Sequence, residues 1–164
     1  MRKPAVAAWQ GDTAYRYGAR LYVEGFFWEA HEVWEAVWKA SSQNGVERLL
    51  LRGLIQLANA ALKIRMGRGN AALRLLVEAD ALFGETAVAA GSEVAMGVAL
   101  APLRVAVQEL AASLRADAEA GEVTRILEPL AAVAVRMDFR RNCIIMHSCC
   151  IIILDGEAVH GFGR

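Results

Sequence analysis

An all-α fold, a single compact bundle of five to six helices with an atypical C-terminal tail, is what the sequence predicts. Three observations carry this. Alanine, the strongest helix former, occurs 31 times in 164 residues. Apolar residues recur at helical spacing through most of the chain. Turn formers punctuate these runs at 41–45 and 67–69, as short interhelical connections require. With 56% hydrophobic and 22% charged residues the chain has ample material for one core.

The elements follow in order. Asp12 or Thr13 caps a first helix from about Ala14 to Val23, which Gly25 ends at a C′ position. A second helix, about Phe26 to Ala40, stops at Ser41-Ser42-Gln43-Asn44-Gly45. The third, about Val46 to Met66, is apolar on nearly every side (Leu50, Leu54, Leu57, Leu62), the mark of a central helix. Gly67-Arg68-Gly69 breaks it, and Asn70 is positioned to cap a fourth helix from Ala71 to about Phe83. Ser92 is expected to cap a further helical stretch to about Ala120, kinked or restarted at Pro102. A short sixth helix is expected over 123–135. Residues 1–11 form an N-terminal extension and 12–135 the bundle domain.

From Arg136 the character changes. Five of the eight isoleucines and all three cysteines fall after Val135, whereas 30 of the 31 alanines precede it. Cys143 to Leu154 is β-branched and strand-like. Residues 136–164 therefore read as an appendage: a poorly ordered tail, a segment packing on a partner, or the product of a frame change near the gene's end.

The 18 basic residues balance 18 acidic ones. This argues against a nucleic-acid binder and a polybasic membrane-surface protein. No run reaches the ~18 apolar residues of a membrane span, and no secretory h-region is present. Three cysteines, two of them adjacent, make no disulfide framework, so a cytoplasmic location is expected.

Chemistry concentrates in Phe26-Phe27-Trp28-Glu29-Ala30-His31-Glu32-Val33-Trp34-Glu35-Ala36-Val37-Trp38. It holds three of the four tryptophans and three glutamates. On a helical wheel Phe27 and Trp38 lie within about 40° of His31 on one side, and Glu35 and Trp28 within about 60° on the other. Glu29 points away and Glu32 sits on the flank. On the third helix Arg52, Gln56, Asn59 and Lys63 form a polar stripe. Antiparallel packing lets that stripe face His31 and Glu35, so a buried network is expected in which Arg52 or Lys63 compensates Glu35. The other reading is a metal site, because His-x-x-x-Glu places an imidazole and a carboxylate on one helix face. The motif is neither His-Glu-x-x-His nor the Glu-x-x-His of di-iron bundles.

The segment Gly25–Trp38, followed by Gly53-Leu54-Ile55-Gln56-Leu57-Ala58 and Arg68-Gly69-Asn70, resembles the DUF309 family of small prokaryotic helical proteins. The resemblance spans roughly residues 12–83. It implies an all-α fold of unknown function, sometimes labelled a predicted metal-dependent hydrolase. The matching residues are Glu29, His31, Glu32, Glu35 and Gln56. Relatives often carry Gln at position 52 and His at position 63, where this chain has Arg and Lys, which weakens the metal reading here.

Other chemistries find less support. No Gly-x-Ser-x-Gly elbow, dinucleotide fingerprint or Walker sequence occurs. Cys143, His147, Cys149 and Cys150 match no standard zinc spacing. Lys63, Arg65, Arg68 and Arg74 form a basic turn suited to an anion, though more simply a solvated charge cluster. The reading that asks least is a non-catalytic binding or scaffold domain, with no nucleic-acid or membrane partner; a homo-oligomer is compatible. The second reading is a metal-dependent hydrolase. His31, Glu35 and Gln56 would hold a divalent ion, the one cofactor the motif admits, and Glu32 or Glu29 would act catalytically.

Overall fold

The computed structural model describes residues 9–42 and 45–120, and four strands beyond them at 134–138, 143–147, 153–154 and 157–158. After a 3₁₀ turn at Trp9–Gly11 come five helices: α1 Thr13–Val23, α2 Phe27–Ala40, α3 Val46–Arg65, α4 Gly69–Ala90 and α5 Leu100–Ala120. Each helix packs on the next, and α3 lies between α2 and α4. The bundle predicted from composition and periodicity is therefore present.

Local chemistry sets the helix ends. Asp12 caps α1 by accepting a hydrogen bond from the Tyr15 N–H at 2.9 Å. At the other end Gly25 adopts φ +85°. There the Gly25 N–H reaches the Tyr22 carbonyl and the Phe26 N–H the Leu21 carbonyl. This paired closure satisfies two orphan carbonyls and turns the chain within three residues. The same closure recurs after α3, where Gly67 lies at φ +69° and Arg68 N–H bonds Lys63 carbonyl. Connections this short make successive helices antiparallel.

The core runs through all five helices. Its largest fully buried side chains include Tyr15, Tyr22, Trp34, Leu50, Leu57 and Phe83. Two glycines set the helix spacing. A Cβ at position 18 would stand 2.5 Å from Trp34 Nε1, and one at position 53 would stand 2.5 Å from the Phe83 ring. Without side chains there, α1 and α4 close onto α2 and α3.

Three expectations are corrected. Asn70 does not cap α4: the helix begins at Gly69, and Arg68 occupies the cap without a side-chain bond. The helix also continues past Phe83 to Ala90, where the only interruption in sequence, Gly84, is tolerated beside the Arg104 guanidinium. Ser92 opens a hairpin rather than a helix. Its hydroxyl accepts from Val94 N–H at 3.1 Å, and β1 Val94–Ala95 pairs antiparallel with β2 Val98–Ala99. The turn residues Met96 and Gly97 have φ of +46° and +74°, the sign pattern of tight hairpins. Pro102 accordingly falls in the first turn of α5, where no N–H is required.

The described strands beyond α5 extend this hairpin into a sheet of order β1-β2-β4-β3-β5-β6. Here β3 is Ala134–Asp138, β4 Cys143–His147, β5 Ile153–Leu154 and β6 Glu157–Ala158. β4 runs parallel to β2 and antiparallel to β3. Most of the expected sixth helix lies outside the described residues, and its last two positions, Ala134 and Val135, open β3 instead.

Candidate metal centre on the second helix

α2 buries Phe27, Ala30 and Trp34. Tyr22 of α1 packs on Phe27 and Trp34 with ring centroids 5.2 and 5.9 Å apart. Trp34 donates its indole N–H to the Tyr15 carbonyl at 3.1 Å. These contacts pin the inner face of α2. His31, one turn beyond Phe27, sits at the edge of that face with 17% of its side chain exposed. Trp28 stacks on its ring at 5.6 Å and 19°, and is itself half exposed.

The imidazole meets two carboxylates there. His31, Glu32 and Glu35 each offer a donor atom, and all three atoms lie within 4.8 Å of one another. His31 Nε2 is 3.7 Å from Glu32 Oε1. Glu32 is thus closer to the imidazole than its place on the wheel suggests, since a glutamate side chain spans the flank of its own helix. Glu29 is exposed and outside this group. The donor set, one imidazole and two carboxylates, fits a divalent ion such as zinc or manganese. The Nδ1 atom of His31 is buried without a hydrogen-bond partner among the described residues. Among the described residues no carbonyl or carboxylate orients this nitrogen, as one usually does for a ligand histidine.

The buried network expected between the second and third helices is not found among the described contacts. Arg52 is exposed and pairs across to Glu78 of α4 at 2.9 Å. Glu35 pairs with Lys39, one turn along α2, at 3.2 Å. Both pairs keep their charges in water, which avoids the desolvation that a buried pair would suffer. Gln56, Asn59 and Lys63 are partly buried on α3. No described hydrogen bond or ion pair joins them to His31 or Glu35. Gln56 is accordingly not brought into the donor group.

Sequence reasoning missed Arg48. Its guanidinium lies 3.9 Å over the Trp38 ring and donates to the carbonyls of Trp38 and Ser41 at 3.0 and 3.3 Å. It thereby closes the C-terminus of α2, and the turn residues between them were the available signal. In the basic turn, Arg65 donates to the Gly25 carbonyl and lies 5.0 Å over Phe27, so this guanidinium ties α3 to the α1–α2 turn. The set Cys143, His147, Cys149 and Cys150 lies outside the residues whose side chains are described. No helix among the described residues is long and apolar enough to cross a membrane.

Fold and site together define a small helical-bundle protein with a His/Glu donor group on an aromatic helix. Residues 15–75 match the model of the DUF309 family, described as a domain of unknown function. That stretch, 61 of the 164 residues, agrees with the resemblance of the α2 and α3 motifs. No curated protein and no solved structure matches it.

Proposed function

We propose that this DUF309-like domain is a non-catalytic binding module that takes a divalent cation on the solvent edge of α2. The observation that supports it is the convergence of His31, Glu32 and Glu35 donor atoms within 4.8 Å. The surrounding aromatic packing holds the helix rigid, so the donors are presented by a fixed element. Lys39 pairs with Glu35 Oε1 at 3.2 Å, so a bound ion would compete with that ammonium for the carboxylate.

A metal-dependent hydrolase is the second reading, and one observation favours it. Glu32 is half exposed, so an ion held by three protein donors would keep positions open to water, as catalytic sites do. A bound ion would there act as a Lewis acid and lower the pKa of water.

Elemental analysis of untagged protein purified without chelator tests both. It is paired with thermal melts with and without zinc, manganese or iron. About one ion per chain, and a melting temperature raised by that same ion, is expected. His31→Ala should abolish the rise. Metal-free protein with an unmoved melt overturns the proposal. Turnover of chromogenic esters or phosphodiesters by the loaded protein, lost in Glu32→Gln, would replace the first reading with the second.

A further inference from the structure

The far side of α2 carries a second feature. A cleft of about 420 Å³ opens between the start of α1, the end of α2, the start of α3 and the β1–β2 turn. Ala36 and Ala40, which face it, lie roughly 140–180° round the helix from His31. The cleft is thus separate from the donor group. Its volume falls within the range of small-molecule sites.

Two features give its chemistry. The walls are apolar: Trp9 and Met96 close one end, and the small side chains of Ala36 and Ala40 leave the space open. Trp9 is fixed there, edge-on to Tyr15 at 6.3 Å and against the Gly97 backbone. The charged groups that line it are Asp12 and Glu47, both carboxylates and both partly buried. Among the described residues, no cationic side chain lines the cleft and no ion pair to either carboxylate occurs. Asp12 uses Oδ1 to accept from Tyr15 N–H, which leaves Oδ2 for another donor. An apolar chamber with two acids at its wall complements a cation that carries a hydrophobic body.

We infer that this cleft binds a small organic monocation, an amine on an aromatic or aliphatic body. The apolar part would lie against Trp9 and Met96, with its ammonium bonded to Asp12 and Glu47. A neutral molecule of the same shape leaves both carboxylates without a counter-charge and should bind far more weakly.

Phenethylammonium and its neutral isostere 2-phenylethanol test this on the full chain. Methyl NMR signals of Ala36, Ala40 and Met96 provide the readout. The ammonium is expected to shift them saturably at millimolar concentration or below, and phenylethanol to bind at least about tenfold more weakly. Asp12→Asn with Glu47→Gln removes both charges while asparagine keeps the α1 cap. That variant should bind the two probes alike. Ala36→Leu fills the cleft from an exposed position and should abolish binding. His31→Ala should leave it unchanged, so the outcome is independent of the metal proposal. No saturable shift with phenethylammonium overturns the inference, as does equal binding of the two probes by the unmodified chain.

Discussion

Trp34 and Gly18 interlock across the α1–α2 interface: the indole lies where a side chain at position 18 would have to stand. A Cβ there would be 2.5 Å from Nε1 and 2.6 Å from Cδ1. The same indole N–H is bonded to the Tyr15 carbonyl, so the ring has no freedom to retreat without losing that bond.

Gly18→Ala should therefore destabilise the fold. Overpacking of a core costs about 1–3 kcal/mol, against a helix-propensity gain of up to ~1 kcal/mol, and the lost indole bond adds to the first figure. Chemical denaturation should show a lower midpoint at unchanged slope. In a Trp34→Phe background the smaller ring makes room, so the alanine should be tolerated better. Strictly additive effects of the two substitutions would contradict the interlock.

Two buried tyrosines of α1 should behave oppositely. The Tyr15 hydroxyl donates to the Met96 carbonyl at 3.1 Å and ties α1 to the β1–β2 turn. The Tyr22 hydroxyl is buried with no partner among the described residues. Tyr15→Phe should cost about 1 kcal/mol, whereas Tyr22→Phe should be neutral or stabilising. Burial pushes both phenols above their usual range, and the Asp12 carboxylate adds to the rise at Tyr15. In the unfolded chain each ionises near pH ~10. Their stabilising contribution is complete below that pH and is lost as pH rises beyond it. Melts at about pH 8 and about pH 11 should show a smaller alkaline loss for each phenylalanine variant than for the unmodified chain.

The helices were legible because their signals are local. Periodicity marked α3 as central, and Gly25 and Gly67 marked stops that only a residue at ease with positive φ makes cheaply. The β1–β2 hairpin was not legible, because its turn is Met96-Gly97 rather than an asparagine–glycine pair. Met96 is held at φ +46° by tertiary contacts, its side chain buried and its carbonyl bonded to Tyr15. At the site, wheel geometry placed His31 beside Glu35 correctly. It failed for Arg52, because a wheel reports direction and not reach. The long side chain turns outward to Glu78 on α4, a helix outside the α2–α3 pair.

The acid side of stability should depend on Asp80. Arg104 of α5 donates to its Oδ1 at 2.8 Å, and Gln108 donates to Oδ2 at 3.0 Å, so one carboxylate of α4 gathers two side chains of the next helix. Burial works to raise the Asp80 carboxyl pKa, but the bonds from Arg104 and Gln108 and the guanidinium charge outweigh it and hold it below its usual value. A carboxyl lowered in the folded state contributes stability above its unfolded pKa and loses it as pH falls through the folded one. The clamp should thus be fully effective at neutral pH and weaken below pH ~4. Arg104 is more than one-third exposed, so solvent screening limits the coupling to about 0.2–1 kcal/mol. A double-mutant cycle of Asp80→Asn and Arg104→Gln, measured by denaturation at neutral pH, should return a value in that range. Repeated near pH ~3, below the ordinary carboxylate range, the coupling should shrink toward zero. A coupling that persists undiminished in acid would show that the α4–α5 contact is held by packing around Gly84 and not by the charge on Asp80.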